Sequence, residues 1–204
     1  VELLPNKEYE IIYIENKGPL YAYNELFKLA KERKEDLFLT QTDVYFPNCK
    51  KDWLKEKKHL AKRPDCGMIT CWGGGGVSGK DFIDGFKWVG AWCTYIPYRT
   101  IEKLGGFDER MPLGYAVDID YTMAVIKLGL KIYQIDYWVH HFPNYNKNHE
   151  HEHVDNFNKL KDEAFVYLRR KWNVGEFKNQ FVPSSYAEAV VSRWDPDKKE
   201  WSKR

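Results

Sequence analysis

The sequence predicts an α/β fold, a mixed, mostly parallel sheet flanked by helices. Three observations carry that expectation. Short runs rich in β-branched and aromatic residues alternate with longer amphipathic runs. Carboxylates sit at the ends of these runs, at the rim where α/β sheets bind ligands. A chain of 204 residues with 43% hydrophobic content is large enough for one core and too small for two. The expected organisation is one domain over residues 1–175 and a tail or linker over 176–204.

Tyr9–Glu15 (YEIIYIE) is a β-rich run. Leu20–Lys34 places Ala22, Leu26, Leu29 and Ala30 on one helical face. Leu37–Thr40 is a short buried strand, with Asp43 just beyond it. Asn48–Lys62 reads as a helix, with Trp53, Leu54, Leu60 and Ala61 inward and its lysines in water. Gly67–Trp72 is a strand and leads into a glycine-rich loop running to Lys80. Trp88–Tyr98 is strand-like, and Thr100–Leu104 a helical turn stopped by Gly105 and Gly106. Ile119–Leu128 is a helix with Gly129 following it, and Lys131–Asp136 returns as a strand. A longer helix over about 152–172 aligns Val154, Phe157, Leu160, Ala164, Phe165, Leu168 and Trp172. After Gly175 the pattern decays into Pro, Ser and charge.

Charge argues against a polyanionic partner, because 32 Lys+Arg against 30 Asp+Glu leave a net charge of only +2. Aromatic residues are abundant, 8 Trp, 14 Tyr and 11 Phe, and flat rings suit stacking on sugars and bases as well as packing. Cys49, Cys66, Cys71 and Cys93 show no CxxC spacing, which fits reduced thiols in a cytoplasmic protein. No apolar run approaches the roughly 20 residues that cross a bilayer. The start of the chain has no signal-peptide core.

The chemistry concentrates in Val89–Asp120, VGAWCTYIPYRTIEKLGGFDERMPLGYAVDID. Here an apolar strand leads to Gly105-Gly106-Phe107-Asp108-Glu109, and two carboxylates, Asp118 and Asp120, then open an amphipathic helix. At a helix start both suit capping and the dipole, and a carboxylate held by backbone N–H groups is also well aimed as a base. Asp43 in LFLTQTDVYFP offers a hard oxygen ligand or, alternatively, opens a turn. His140 and His141 follow the strand at Lys131–Asp136, as metal ligands or as a surface pair.

This order resembles the acceptor half of a GT-A glycosyltransferase of the large family-two type, whose pattern is approximately G-x-x-x-hydrophobic-R, GGFDE, then EDxD. The resemblance covers roughly residues 15–172 and implies a GT-A-like, Rossmann-like sheet. It implies transfer of a hexose or deoxyhexose from a nucleotide-diphosphate sugar, UDP-sugars favoured, to a hydroxyl of a glycan or glycoconjugate. Asp118 falls at the position of the inverting base, Asp43 at the last aspartate of the DxD-like metal motif, and His140 or His141 at a histidine that contacts metal or diphosphate. Imidazole suits Mn²⁺ better than Mg²⁺. Glu15–Asn24 resembles the nucleotide-contacting N-x-G-x-x-x-A-x-N stretch, in which Lys17 neutralises phosphate and Asn24 fixes the loop. Trp72 and Trp92 are candidate sugar platforms and Asp120 an acceptor-side residue that orients a neighbour or caps the helix. Gln41 and Val117 stand where the family has acidic residues. The family's opening strand and helix are missing before Tyr13, so residues are expected to precede Val1 in the parent protein.

A non-catalytic carbohydrate-binding or assembly domain of the same fold is the alternative. Two further motifs fail on their own terms. Gly74–Lys80 nearly spells a P-loop, but Asp81 stands where a Ser or Thr hydroxyl is needed. His149–His153 contains HExxH at a helix start, with no third zinc ligand in pattern downstream, so a His-rich metal hydrolase comes third.

Overall fold

A computed structural model describes residues 17–41, 44–46, 53–72, 77–78, 88–141, 156–172, 190–195 and 200–203, with Glu10, Ile12 and Ile14. Most of the expected run Tyr9–Glu15, Cys49, most of the glycine-rich loop and the whole of His149–His153 lie outside these residues.

The main sheet holds β1 (Leu37–Thr40), β6 (Cys93–Ile96), β3 (Cys66–Trp72), β7 (Lys131–Trp138), β9 (Val190–Asp195) and β10 (Glu200–Lys203), in that order. β3 pairs with β7 in parallel, and β7 with β9. The pairs β1–β6, β3–β6 and β9–β10 are antiparallel. The sheet is therefore mixed and only partly parallel. The expected parallel majority among neighbours gives way because β6 inserts between β1 and β3. Two small ribbons complete the strands, β2 (Val44–Tyr45) with β8 (His140–His141) and β4 (Val77–Ser78) with β5 (Trp88–Val89). The strand-like run 88–98 is thus two strands broken at Gly90-Ala91-Trp92. The segment 176–204, expected as a tail, contributes β9 and β10 to the sheet, with Trp194 opposite Trp201.

Alternation along the strands builds two cores. Leu37, Leu39, Met68, Ile96 and Ile132 face one side, where they meet α1 (Pro19–Arg33), α3 (Tyr98–Leu104), α4 (Val117–Lys127) and α5 (Phe157–Trp172). Ile69, Cys71, Cys93, Tyr95, Tyr133 and Ile135 face the other, covered by Leu60 and Ala61 of α2 (Trp53–Ala61). The architecture is α/β, with helices on both faces.

Local chemistry sets the helix ends. Pro19 opens α1, where its fixed φ and missing N–H cost nothing. Lys34 closes the helix in the left-handed region at φ 57°, letting the Glu35 N–H donate back to the Ala30 carbonyl at 2.9 Å. Asp36 then joins β1 to the next unit. Its carboxylate accepts from the Tyr98 N–H at 2.7 Å and the Tyr95 hydroxyl at 2.8 Å, fixing the start of α3.

Candidate active site

The Gly105–Phe107 turn is locked to α1 by one side chain. Asn24 Oδ1 accepts from the Phe107 N–H at 2.8 Å, and its Nδ2 donates to the Phe107 carbonyl at 3.0 Å. Gly105 turns at φ 73°, and a Cβ at Gly106 would lie 2.4 Å from Asn24 Oδ1. The paired glycines are there for a left-handed bend and for a close approach. Phe107 enters a cluster of rings, its centroid 5.4 Å from Tyr23, 5.0 Å from Phe27 and 5.4 Å from Tyr121. Asn24→Ala should cost about 1–3 kcal/mol, because both polar groups of Phe107 lose a part-buried partner. Urea melts at neutral pH measure this, and an unchanged midpoint would show the clamp to be redundant.

Beyond that turn the backbone is held in unfavourable conformations. Leu113 has φ 57° and Ala116 φ 60°, both left-handed without being glycine. Ala116 is the N-cap of α4 and brings no side-chain cap of its own. The first-turn N–H groups therefore look to Asp118. Its Oδ1 accepts from the Ile119 N–H at 2.9 Å, and its own N–H and that of Ala91 are also directed at the carboxylate.

Ala91 belongs to the turn between β5 and β6, and that turn is strapped to α4. The Val89 N–H donates to Thr122 Oγ1 at 3.1 Å, and Thr122 Oγ1 donates to the Asp118 carbonyl at 2.7 Å. Thr94 Oγ1 holds the Gly90 carbonyl at 2.7 Å. Asp118 as a whole residue is half-buried, and protein packs densely around its carboxylate. Burial outweighs the backbone N–H groups and pushes its pKa up to about 6. A recessed carboxylate whose pKa lies just below neutrality is equipped to take a proton.

Asp120, two residues on, faces inward and is 4% exposed. Its oxygens accept from Lys171 Nζ at 2.7 Å and Trp172 Nε1 at 2.8 Å, both at the end of α5. Lys171 also reaches Asp108 Oδ2 at 2.9 Å, where Arg110 and Tyr167 converge. Asp120, expected on the acceptor side to orient a neighbour or cap the helix, holds Lys171 and Trp172 and so ties α5 to α4. Trp92, expected as a sugar platform, is 7% exposed and packs in the core beneath α2, so it offers no face to a ligand. Trp72 lies at the end of β3, and its side chain is outside the described set. Val117 is buried in the core.

Asp43, expected as a metal ligand, lies outside the described residues. β2 begins immediately after it, and the ladder sets Val44 opposite His141 and Tyr45 opposite His140. The His140 ring is exposed and stacks on Tyr45 at 6.1 Å. Only the backbone of His141 is described. Lys17, exposed just before α1, has its ammonium 5.4 Å from the Tyr21 ring. Asn24 commits its amide to the Phe107 clamp. Among the described residues, no group of three or more His, Cys, Asp or Glu comes together as a metal cage. No described helix is long and apolar enough to cross a membrane.

Sequence reasoning missed the Ala91 N–H and the Thr122 strap, because neither residue type signals a role. It also missed the tie from Asp120 to Lys171 and Trp172, 51 and 52 residues away. The chain matches no protein-family model, no curated protein and no solved structure.

Proposed function

We propose that this chain is a GT-A-type glycosyltransferase domain serving glycan biosynthesis. It transfers a hexose or deoxyhexose from a nucleotide-diphosphate sugar to an acceptor hydroxyl, with inversion. The observation that carries this reading is Asp118 itself. It is recessed, reached by backbone N–H groups from two elements and poised near pH 6 behind a strained helix entry. A base so placed removes the acceptor proton as the oxygen attacks the anomeric carbon, inverting that centre. The Ala91 and Ile119 N–H groups hold the carboxylate's direction, and the Thr122 strap holds Ala91 in place.

The meeting of β2 with β8 supports a donor side, because the strand that follows Asp43 runs against the histidine pair. Asp43 with His140 or His141 would hold Mn²⁺ or Mg²⁺, an oxygen and imidazole set suited to Mn²⁺. When bound, the ion supplies positive charge for the diphosphate leaving group. Lys17, exposed before α1, adds a cation for phosphate.

Donor hydrolysis with a panel of UDP- and GDP-sugars and Mn²⁺ is the test. The expected result is turnover that EDTA abolishes and Asp43→Ala reduces by about two orders of magnitude or more. Turnover indifferent to both would remove Asp43 from the site, and a product of retained configuration would remove Asp118 as the inverting base. One observation favours the second reading, a carbohydrate-binding domain of the same fold. Gln41 stands at an acidic position of the family's metal motif, and its amide is hydrogen-bonded to the Tyr23 hydroxyl at 2.5 Å. Tight sugar binding with no turnover under any metal would establish that reading instead.

A further inference from the structure

The far core holds two thiols and an ammonium that the proposed reaction does not use. β3 and β6 pair Ile69 with Tyr95 and Thr70 with Thr94, and one more step of that register sets Cys71 opposite Cys93. Their sulfurs lie 3.3 Å apart, with the Cys93 thiol donating to Cys71. Both residues are fully buried, at 0% exposure. Directly opposed residues on antiparallel neighbours have Cα atoms about 4.5–5.5 Å apart, within the span a disulfide bridges.

Lys57 enters the same space from α2 and is itself 0% exposed. Its Nζ lies 3.9 Å from Cys93 Sγ and 4.3 Å from the centre of the Phe38 ring. An ammonium in an apolar core is costly unless negative charge faces it. Of the two sulfurs, Cys71 can supply that charge, because it accepts the Cys93 proton donor while lying within the ammonium's field. Burial raises both thiols, but the Cys93 hydrogen bond and Lys57 bring Cys71 below its ordinary value. Cys93 is pushed well above it by burial and by the neighbouring sulfur.

We infer that Cys71 and Cys93 form a peroxide-sensitive dithiol, activated by Lys57, that closes to a cross-strand disulfide between β3 and β6. The Cys71 thiolate attacks one oxygen of hydrogen peroxide, the O–O bond breaks, and hydroxide leaves to be protonated to water. Cys93 sulfur then attacks the Cys71 sulfenic sulfur. The S–O bond breaks, and the hydroxyl departs with the Cys93 proton as a second water. The pair loses two electrons and two protons in all, and one peroxide becomes two waters. Peroxide is the oxidant class because both sulfurs are enclosed, and a two-electron oxidant little larger than water needs the least opening of the core to meet them.

The test uses the folded wild-type chain. After mild hydrogen peroxide, tryptic peptides are mapped without reduction; Lys80 and Lys87 lie between the two cysteines, so they fall on separate peptides. The expected product is a single link that fragment ions assign to Cys71 rather than Cys66, reversed by dithiothreitol. Sulfinic acid at Cys71, a link through Cys49 or Cys66, or a link that forms only in denaturant would each overturn the proposal. Lys57→Met should slow closure by about tenfold or more as thiolate is lost. An unchanged rate in that variant would remove Lys57 from the site. Should it fail to fold, the wild-type map still decides.

Discussion

Asp118→Asn is expected to cut sugar transfer to a small fraction and yet leave the chain more stable at neutral pH. Loss of a positioned base costs about 10²–10⁴-fold in kcat. Donor binding should survive, because the proposed donor contacts lie elsewhere. Stability moves the other way because burial works against the charge, holding the folded pKa up at about 6 against an ordinary value of 3.8. Below about pH 4 the group is protonated in both states and contributes nothing to pH dependence. Between about pH 4 and 6 the unfolded chain has released the proton while the folded chain retains it, so stability falls as pH rises. Above about pH 6 the full penalty of the buried charge persists.

Asparagine removes that penalty, so a gain of about 1–3 kcal/mol is expected at pH 8 and none at pH 4. The lower end applies if the new amide N–H₂ is turned against the backbone donors. Urea melts of both proteins at the two pH values make the comparison. A variant less stable than wild type at pH 8 would show that the carboxylate is structural. Activity supplies an independent reading. Wild-type transfer should fall about tenfold per pH unit below 6, and residual turnover by the variant should lack that limb.

The second large effect is structural. Asp120→Ala should destabilise the fold by about 2–4 kcal/mol, removing the acceptor shared by Lys171 and Trp172. Both partners sit at the C-terminal end of α5, so the loss falls on the docking of that helix. Lys171 keeps Asp108 at 2.9 Å, which limits the damage. Asp108 in turn is held well below the usual carboxylate range by Arg110, with Lys171 and Tyr167 adding to it. Its contribution is present above the unfolded carboxylate pKa, about 4, and is lost as pH falls toward the folded value. Acid should therefore loosen the same end of α5 that Asp120→Ala loosens. Guanidinium or urea melts at pH 7 read the mutation directly, and a change under about 0.5 kcal/mol would show that the tie carries no weight.

What the sequence revealed and what it hid divide along one line. Features set by near neighbours were legible. Leu37–Thr40 appeared as a strand because four residues of β-type sit between polar ends, and Asp118 fell on the first turn of α4 because the apolar period starts beside it. The Gly105–Gly106 stop was visible too, although its partner Asn24 was 83 residues away from Phe107. Features set by distant partners were not legible. Nothing near Trp92 distinguishes a buried ring from a binding platform; α2 and β2 decide it. Nothing near Asp120 announces Lys171. The hairpin β9–β10 carries alternating Ser, Arg, Trp and Asp, and this charge disguised a β pattern as a tail. β6 is buried along its whole length, and such a continuous apolar run tells nothing of strand direction.

The clamp between Asn24 and Phe107 also bears on the order in which the chain can assemble. β1 finds its partner only when β6 arrives, Leu37 against Ile96, and β7 joins β3 later still, Lys131 against Cys66. Each ladder closes a loop of dozens of residues before it gains a hydrogen bond, the signature of slow, non-local folding. During synthesis β1 therefore emerges with α1 already made to cover one face, but without β6 to pair its edge. For the same reason, a fragment that stops short of Trp138 loses part of β7, and a split for reconstitution is expected to work best outside Leu37–Trp138, which spans β1, β6, β3 and β7.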